Sequence, residues 1–286
     1  MKTKLVLAVA SYTLLTQILF SQNLALRIHM EQERFLLSQA IWVTAALVNN
    51  GSTFQEVPAA VLTEDANGIQ IQLVTADGIK VNPSGVLLGD PQGVVLIEPE
   101  DSLSQSMNLI GMFSTSGDNN VPYLATMHYL KPGRYTVSAK QRIDKTILTS
   151  NILSFEVVEP VGSEKKALTL LSIADKRYLE NRRQKGTMEA YDDLRREHPK
   201  SVYGPRAYHH LISLSYLAQD NPKVIQLLSE LAHRYPDDDQ AIKECMVHAR
   251  VIFRNGRGDI FEKIASDLPQ TRVGKLSRKI LTESKH

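Results

Sequence analysis

Three times in its C-terminal half the chain carries an apolar stretch of helical spacing into a proline. The places are Arg196-Glu197-His198-Pro199, Arg234-Tyr235-Pro236-Asp237 and Asp267-Leu268-Pro269-Gln270. The prolines lie 37 and 33 residues apart, close to the roughly 34-residue period of two-helix repeats. A helix pair of that length cannot bury its apolar stripe alone, so successive pairs must stack, and a stack leaves a groove on one side. This half is therefore expected to be a short α-helical array with a surface suited to binding.

The helices can be placed residue by residue. Ser163-Glu164 is a candidate cap for a helix carrying Ala167, Leu171, Ala174 and Tyr178, and Gly186-Thr187 opens one with Met188, Tyr191 and Leu194 inward. Gly204-Pro205 starts a third, with Ala207, Leu211, Leu214 and Ala218 on its stripe. Asp220-Asn221-Pro222 stops it and caps its partner, which carries Val224, Leu227, Leu228, Leu231 and Tyr235. In the last pair Ile242, Cys245, Met246 and Ala249 face inward, Asn255-Gly256-Arg257-Gly258 turns, and Ile260, Phe261, Ile264 and Leu268 follow. Residues 273–281 form a closing helix.

The first half has a different period. From residue 23 to 158 apolar residues alternate and are broken by Gly, Pro, Asn and Asp turns, which is the pattern of half-buried antiparallel strands. Leu24, Leu26, Ile28 and Met30 share one face, and so do Ile41, Val43, Ala45 and Leu47, before the turn triplet Asn49-Asn50-Gly51. Further strands are expected at 69–75, 94–97, 107–113, 123–129, 135–139 and 153–158. Strands in this number predict a two-sheet sandwich.

Residues 1–22 are read separately. Lys2 and Lys4 precede an apolar run that turns polar at Ser21-Gln22-Asn23, the layout of a signal peptide, with an uncleaved anchor as the alternative. The expected organisation is thus a signal over 1–22, a β-sandwich over 23–160 and helical repeats over 161–286. Cys245 is the only cysteine, so no internal disulfide can form, and on an apolar face it reads as a small core residue. Charge is divided between the halves. Residues 22–160 hold 8 Lys and Arg against 14 Asp and Glu, a net of −6, and residues 161–286 hold 23 against 17, a net of +6. Basic residues interleaved with acids exclude a nucleic-acid surface.

Two resemblances rest on particular residues. Leu130-Lys131-Pro132-Gly133-Arg134-Tyr135-Thr136-Val137 resembles the strand-to-strand corner of immunoglobulin-like and fibronectin-like sandwiches, which implies that the Tyr135 hydroxyl returns to the backbone. The cysteine pair of antibody domains is missing. Tyr191, Leu194, His198-Pro199-Lys200-Ser201, Tyr203 to Ala207, Leu214, Tyr216, Leu231, Ala232, Tyr235 and Pro236 resemble tetratricopeptide-like repeats, in particular those of bacterial envelope proteins related to outer-membrane-assembly lipoproteins. The inter-helix loop is one residue short, Ile225 stands where alanine is usual, and the lipid-bearing cysteine is absent. The resemblance implies an Ig-like β-sandwich followed by a TPR-like solenoid.

Candidate contacts on the groove, taken from residues off the buried stripes, are Arg206, His209, His210, Ser213 and Asp220, with Lys243, His248 and Arg250 on the next repeat. Adjacent helical residues point about 100° apart, so His209 and His210 cannot clamp one ion and read as exposed polar positions. Asp237-Asp238-Asp239 reads as an acidic helix start that needs no metal. His29, Glu31 and Glu33 read as an outward charged face. Trp42, opposite Ile41 and Val43, is a candidate anchor for sugar or protein unless another segment covers it.

No His-Glu-x-x-His, Gly-x-Ser-x-Gly, phosphate loop or paired cysteine set occurs. The expectation is an exported, periplasmic or secreted, non-catalytic binding or scaffolding protein of the cell envelope. It needs no cofactor or metal, takes a protein or peptide partner, and touches membrane only through an uncleaved N-terminal segment. The alternative makes the sandwich the active module, as a carbohydrate-binding or protease-inhibiting unit supported by the repeats.

Overall fold

The computed structural model describes residues 23–59, 68–82, 93–113, 130–180 and 185–283. The expected signal over 1–22 and the expected strand over 123–129 lie outside these residues. The β elements form one compact unit closing at Val158, and the helices form a second that opens at Glu159.

In the first unit the strands are β1 (Leu24–His29), β2 (Arg34–Leu36), β3 (Trp42–Asn49), β4 (Gln55–Pro58), β5 (Gln70–Thr75) and β6 (Lys80–Val81). They continue with β7 (Val94–Ile97), β8 (Ser102–Asn108), the short helix α1 (Leu109–Met112), β9 (Gly133–Ile143), β10 (Thr146–Thr149) and β11 (Leu153–Val158). One sheet runs β1-β3-β8, a second β2-β11-β9-β5-β6 with β10 also on β9, and a two-stranded ribbon pairs β4 with β7. Pairing is antiparallel except between β11 and β2.

Period-two patterning sets the packing. Leu24, Leu26 and Ile28 of β1 and Val43, Ala45 and Leu47 of β3 are buried, and they share one core with Leu73, Val137, Ala139, Phe155 and Val157 of the larger sheet. The Tyr135 ring stacks on Phe155 at 5.4 Å, and its hydroxyl donates to the Lys131 carbonyl at 2.7 Å. Burial raises the pKa of that hydroxyl, so it stays a donor.

Two side-chain amides complete backbone edges. Asn151 accepts from Ile28 N at 2.9 Å and donates to Ile28 O at 3.0 Å, acting as a short piece of strand on β1. Asn49 is fully buried and donates to the carbonyls of Thr53, Ile97 and Glu98 at 2.7, 3.1 and 3.1 Å while accepting from Gly51 N. It therefore fixes both the turn and the position of the β7 end. The strand expected over 107–113 is corrected. β8 begins earlier, and Asn108 caps α1 by accepting from Ile110 N at 3.1 Å, so the local hydrogen bond diverts the chain from extended pairing.

The second unit contains seven helices among the described residues: α2 (Gly162–Glu180), α3 (Lys185–Glu197), α4 (Gly204–Leu217), α5 (Asn221–Arg234), α6 (Asp239–Arg254), α7 (Asp259–Asp267) and α8 (Arg272–Glu283). Sequence neighbours pack together from α2 to α6, α7 packs on α8, and α4 meets α6, α5 meets α7, and α6 meets α8. Hydrogen bonds recur at a sequence separation of 34 or 35 residues. Ser163 meets His198 and Arg195 meets Glu230, both 35 residues on, while Tyr235 reaches back 34 residues to Ser201 and His233 forward 34 to Asp267.

Capping holds at α5, where the Asp220 side chain accepts from Lys223 N at 3.1 Å. At α2 the expected Ser163 cap is corrected, because that hydroxyl lies 3.1 Å from His198 Nδ1 instead. Two stripe assignments are also corrected. Ala218 is exposed, lying just past the end of α4, and Met246 is 57% exposed, because the buried stripe of α6 runs through Ala241, Glu244, Cys245, His248 and Ile252.

Candidate functional site

The alternate helices α2, α4 and α6, the first helices of the pairs expected from the sequence, are joined side by side through polar side chains. Asp175 of α2 is buried. It accepts from the Tyr191 hydroxyl at 2.7 Å and from the Arg206 guanidinium at 2.7 Å, with His210 Nε2 3.8 Å away. Burial, followed by the adjacent Asp175 charge, holds the Tyr191 hydroxyl far above its ordinary range. The His210 ring stacks on Tyr191 at 4.7 Å and lies 4.9 Å from Tyr178.

A second cluster joins α4 to α6. Glu244 is buried, and its carboxylate meets His209 Nδ1 at 2.6 Å, His248 Nε2 at 3.3 Å and the Gln240 amide at 2.6 Å. Burial alone would raise its pKa, but the two imidazoles outweigh that and hold it down to about 2. The clusters touch through His209 and His210, whose rings are 5.2 Å apart, and Tyr216 packs edge-on against His248 at 5.5 Å.

This arrangement corrects the placement of four candidates. Arg206, His210 and His248 are not open groove contacts: they are engaged with Asp175 or Glu244, and His248 is buried. His209 is shared, with one nitrogen on Glu244 and a side chain 43% exposed. A carboxylate carried into a helix interface must be compensated, and the nearest cations and imidazoles are drawn in to do so. Ser213 is half-buried, Asp220 caps α5, Lys243 is exposed, and the Arg250 side chain lies outside the described residues. His209 and His210 go to different carboxylates, as their divergence on the helix requires. Among the described residues no group of three His, Cys, Asp or Glu side chains is arranged to hold a metal ion.

Sequence reasoning missed Asp175 and Glu244. The signal was present: Asp175 interrupts the stripe Leu171, Ala174, Tyr178, and Glu244 lies four residues before His248, one helical turn away. The acidic triplet is explained by α8. Arg272 donates its backbone N–H to Asp237 at 2.8 Å and its guanidinium to Asp239 at 2.6 Å. Cys245 is buried, which raises its thiol to about 12 and leaves it a core residue.

Outside these clusters α4 and α6 keep exposed apolar side chains. Tyr216 is 48%, Leu217 69% and Val247 63% exposed, and Tyr216 and Leu217 line an open depression of about 470 Å³ with Gln219 and Asn221. In the β unit, Trp42 is half-buried and its indole nitrogen is enclosed without an acceptor among the described residues. His29, Glu31 and Glu33 are all exposed. No helix among the described residues is long and apolar enough to cross a membrane.

No protein-family model and no curated protein matches the chain. Solved structures share only weak likeness. The CARDB domain of a Pyrococcus furiosus protein is 12% identical, covering 47% of this chain and 87% of that one at a TM-score of 0.25. A β-glucosidase from Listeria innocua is 10% identical, covering 49% of this chain and 17% of the enzyme at 0.26. A sporulation control protein from Bacillus subtilis is 11% identical, covering 53% of this chain and 55% of that one at 0.26. Likenesses of this size carry no argument about what the chain does.

Proposed function

We propose that this is an exported, non-catalytic binding or scaffolding protein of the bacterial cell envelope, in which an Ig-like β-sandwich precedes a TPR-like helical stack that takes a protein partner. The observation that carries the reading is the division of labour on the first helices. Their buried carboxylates are already engaged by Arg206 and the histidines, while Tyr216, Leu217 and Val247 stay exposed on the same helices. Exposed apolar side chains grouped on a rigid scaffold are what a protein partner buries. The bond from Tyr135 to Lys131 supports the sandwich reading, and bonds recurring at 34 and 35 residues support the repeat reading.

The test is site-specific photo-cross-linking in the native envelope. Cross-linkers at Leu217 and Lys243 are expected to trap a protein partner, and one at the exposed Ser104 of β8 is not. Adducts at Ser104 alone would move the binding surface to the β unit. That second reading, a carbohydrate-binding or protease-inhibiting sandwich, rests on the half-buried Trp42 ring. It predicts binding to a glycan or protease panel that Trp42→Phe abolishes.

A further inference from the structure

The β unit carries one apolar face that its own core does not use. In the β4–β7 ribbon Glu56 pairs with Leu96 and Pro58 with Val94, and side chains opposite one another in a ladder point to the same face. Phe54, which precedes β4, is 56% exposed, and Val94 and Leu96 are each 61% exposed. Glu56 and Glu98 are exposed beside them. This face is therefore apolar and acidic, and Asn49 fixes the β7 end of it from inside.

The first helices of the second unit present the opposite combination. On α2 Lys176 is exposed, and on α6 Lys243 and Val247 are exposed one turn apart. Between them α4 exposes Tyr216 and Leu217. The Asp175 and Glu244 clusters hold these helices side by side and keep both carboxylates buried beneath, so Lys176 and Lys243 supply the exposed charge. The net charges of the halves, −6 and +6, have the same sense. Each face carries exposed apolar side chains in its own unit.

We propose that the protein self-assembles head to tail, the acidic apolar ribbon of one copy docking on the basic apolar first-helix face of the next. This rests on reading the first-helix face as a binding surface. The contact joins two different patches, so it is heterologous. It closes into rings, of which a reciprocal pair of chains is the smallest, or extends into open chains. Opposite charges set the register, and the exposed Tyr216, Leu217, Phe54 and Leu96 side chains, covered on docking, supply the affinity.

Sedimentation velocity on the full chain tests this. Association is expected to rise with protein concentration across the micromolar range and to weaken with added salt. Lys176→Glu with Lys243→Glu is expected to weaken it about tenfold or more, and Glu56→Lys with Glu98→Lys likewise, with thermal melts unchanged. Mixing the two variants should restore association, because the reversed face meets the reversed ribbon and the unaltered ribbon of the first variant meets the unaltered face of the second. A monomer throughout that range, association indifferent to both reversals, or a mixture that fails to pair would overturn the proposal. Cross-links from Leu217 to a different protein, with the chain monomeric, overturn self-docking and leave the binding surface standing.

Discussion

Glu244 shows how one side chain can fix two helices and be invisible to periodicity. It sits where a hydrophobic residue is expected, and its cost is met by imidazoles from α4 and α6. Glu244→Gln is expected to destabilise the helical unit by about 2–4 kcal/mol. Its carboxyl is lowered from 4.5 to about 2, so its contribution is complete above 4.5 and is lost as pH falls through 2. Urea titrations of the two proteins should therefore differ most above pH 4.5 and converge in acid. Asp238 works in the opposite sense, since burial raises it from 3.8 to about 6. The penalty is absent below 3.8 and full above about 6. Asp238→Asn keeps the acceptor for Gln240 N, so it should raise the neutral-pH midpoint and leave the acid midpoint unchanged. Candidate residues were legible as polar positions on first helices. Which of them face solvent was not, because Arg206 and His248 are claimed by carboxylates that only the packing brings near.

Helices and strands were easier to read than single side chains. β7 and β11 match the expected strands because alternation and flanking turns act locally. β2, β4, β6 and β10 went unread. All four are only two to four residues long, and β6 and β10 bury none of their residues. At the start of α4 a close approach replaces periodicity as the constraint. A Cβ added to Gly204 would lie 1.9 Å from the Tyr235 hydroxyl, which donates to Pro199 O and Ser201 O at 3.1 Å each. Gly204→Ala should cost about 2–4 kcal/mol, within the range of overpacking plus a displaced hydrogen-bond donor. Tyr235→Phe alone should cost about 1 kcal/mol. In the double variant the two costs should fall short of their sum, because removing the hydroxyl clears part of the clash. A double-mutant cycle by thermal melting measures that coupling.

On the scale of the molecule, two separately packed cores predict two calorimetric transitions. Asn49→Ala removes four hydrogen bonds inside the β unit, so it should lower one transition by several degrees and leave the other in place. The sequence by itself determined the order β then α, the antiparallel alternation of the first half and the helix boundaries around Pro199, Pro236 and Pro269. These follow from side-chain period and from backbone restrictions at proline and glycine, which act over a few residues. Only the tertiary structure decided that Asp175 and Glu244 are compensated from neighbouring helices, that α6 turns Met246 outward, and that the β4–β7 ribbon keeps Phe54 and Leu96 in solvent. Those outcomes depend on residues about 30 to 45 positions apart coming together, and Coulombic and packing energies between them are set by distance in space.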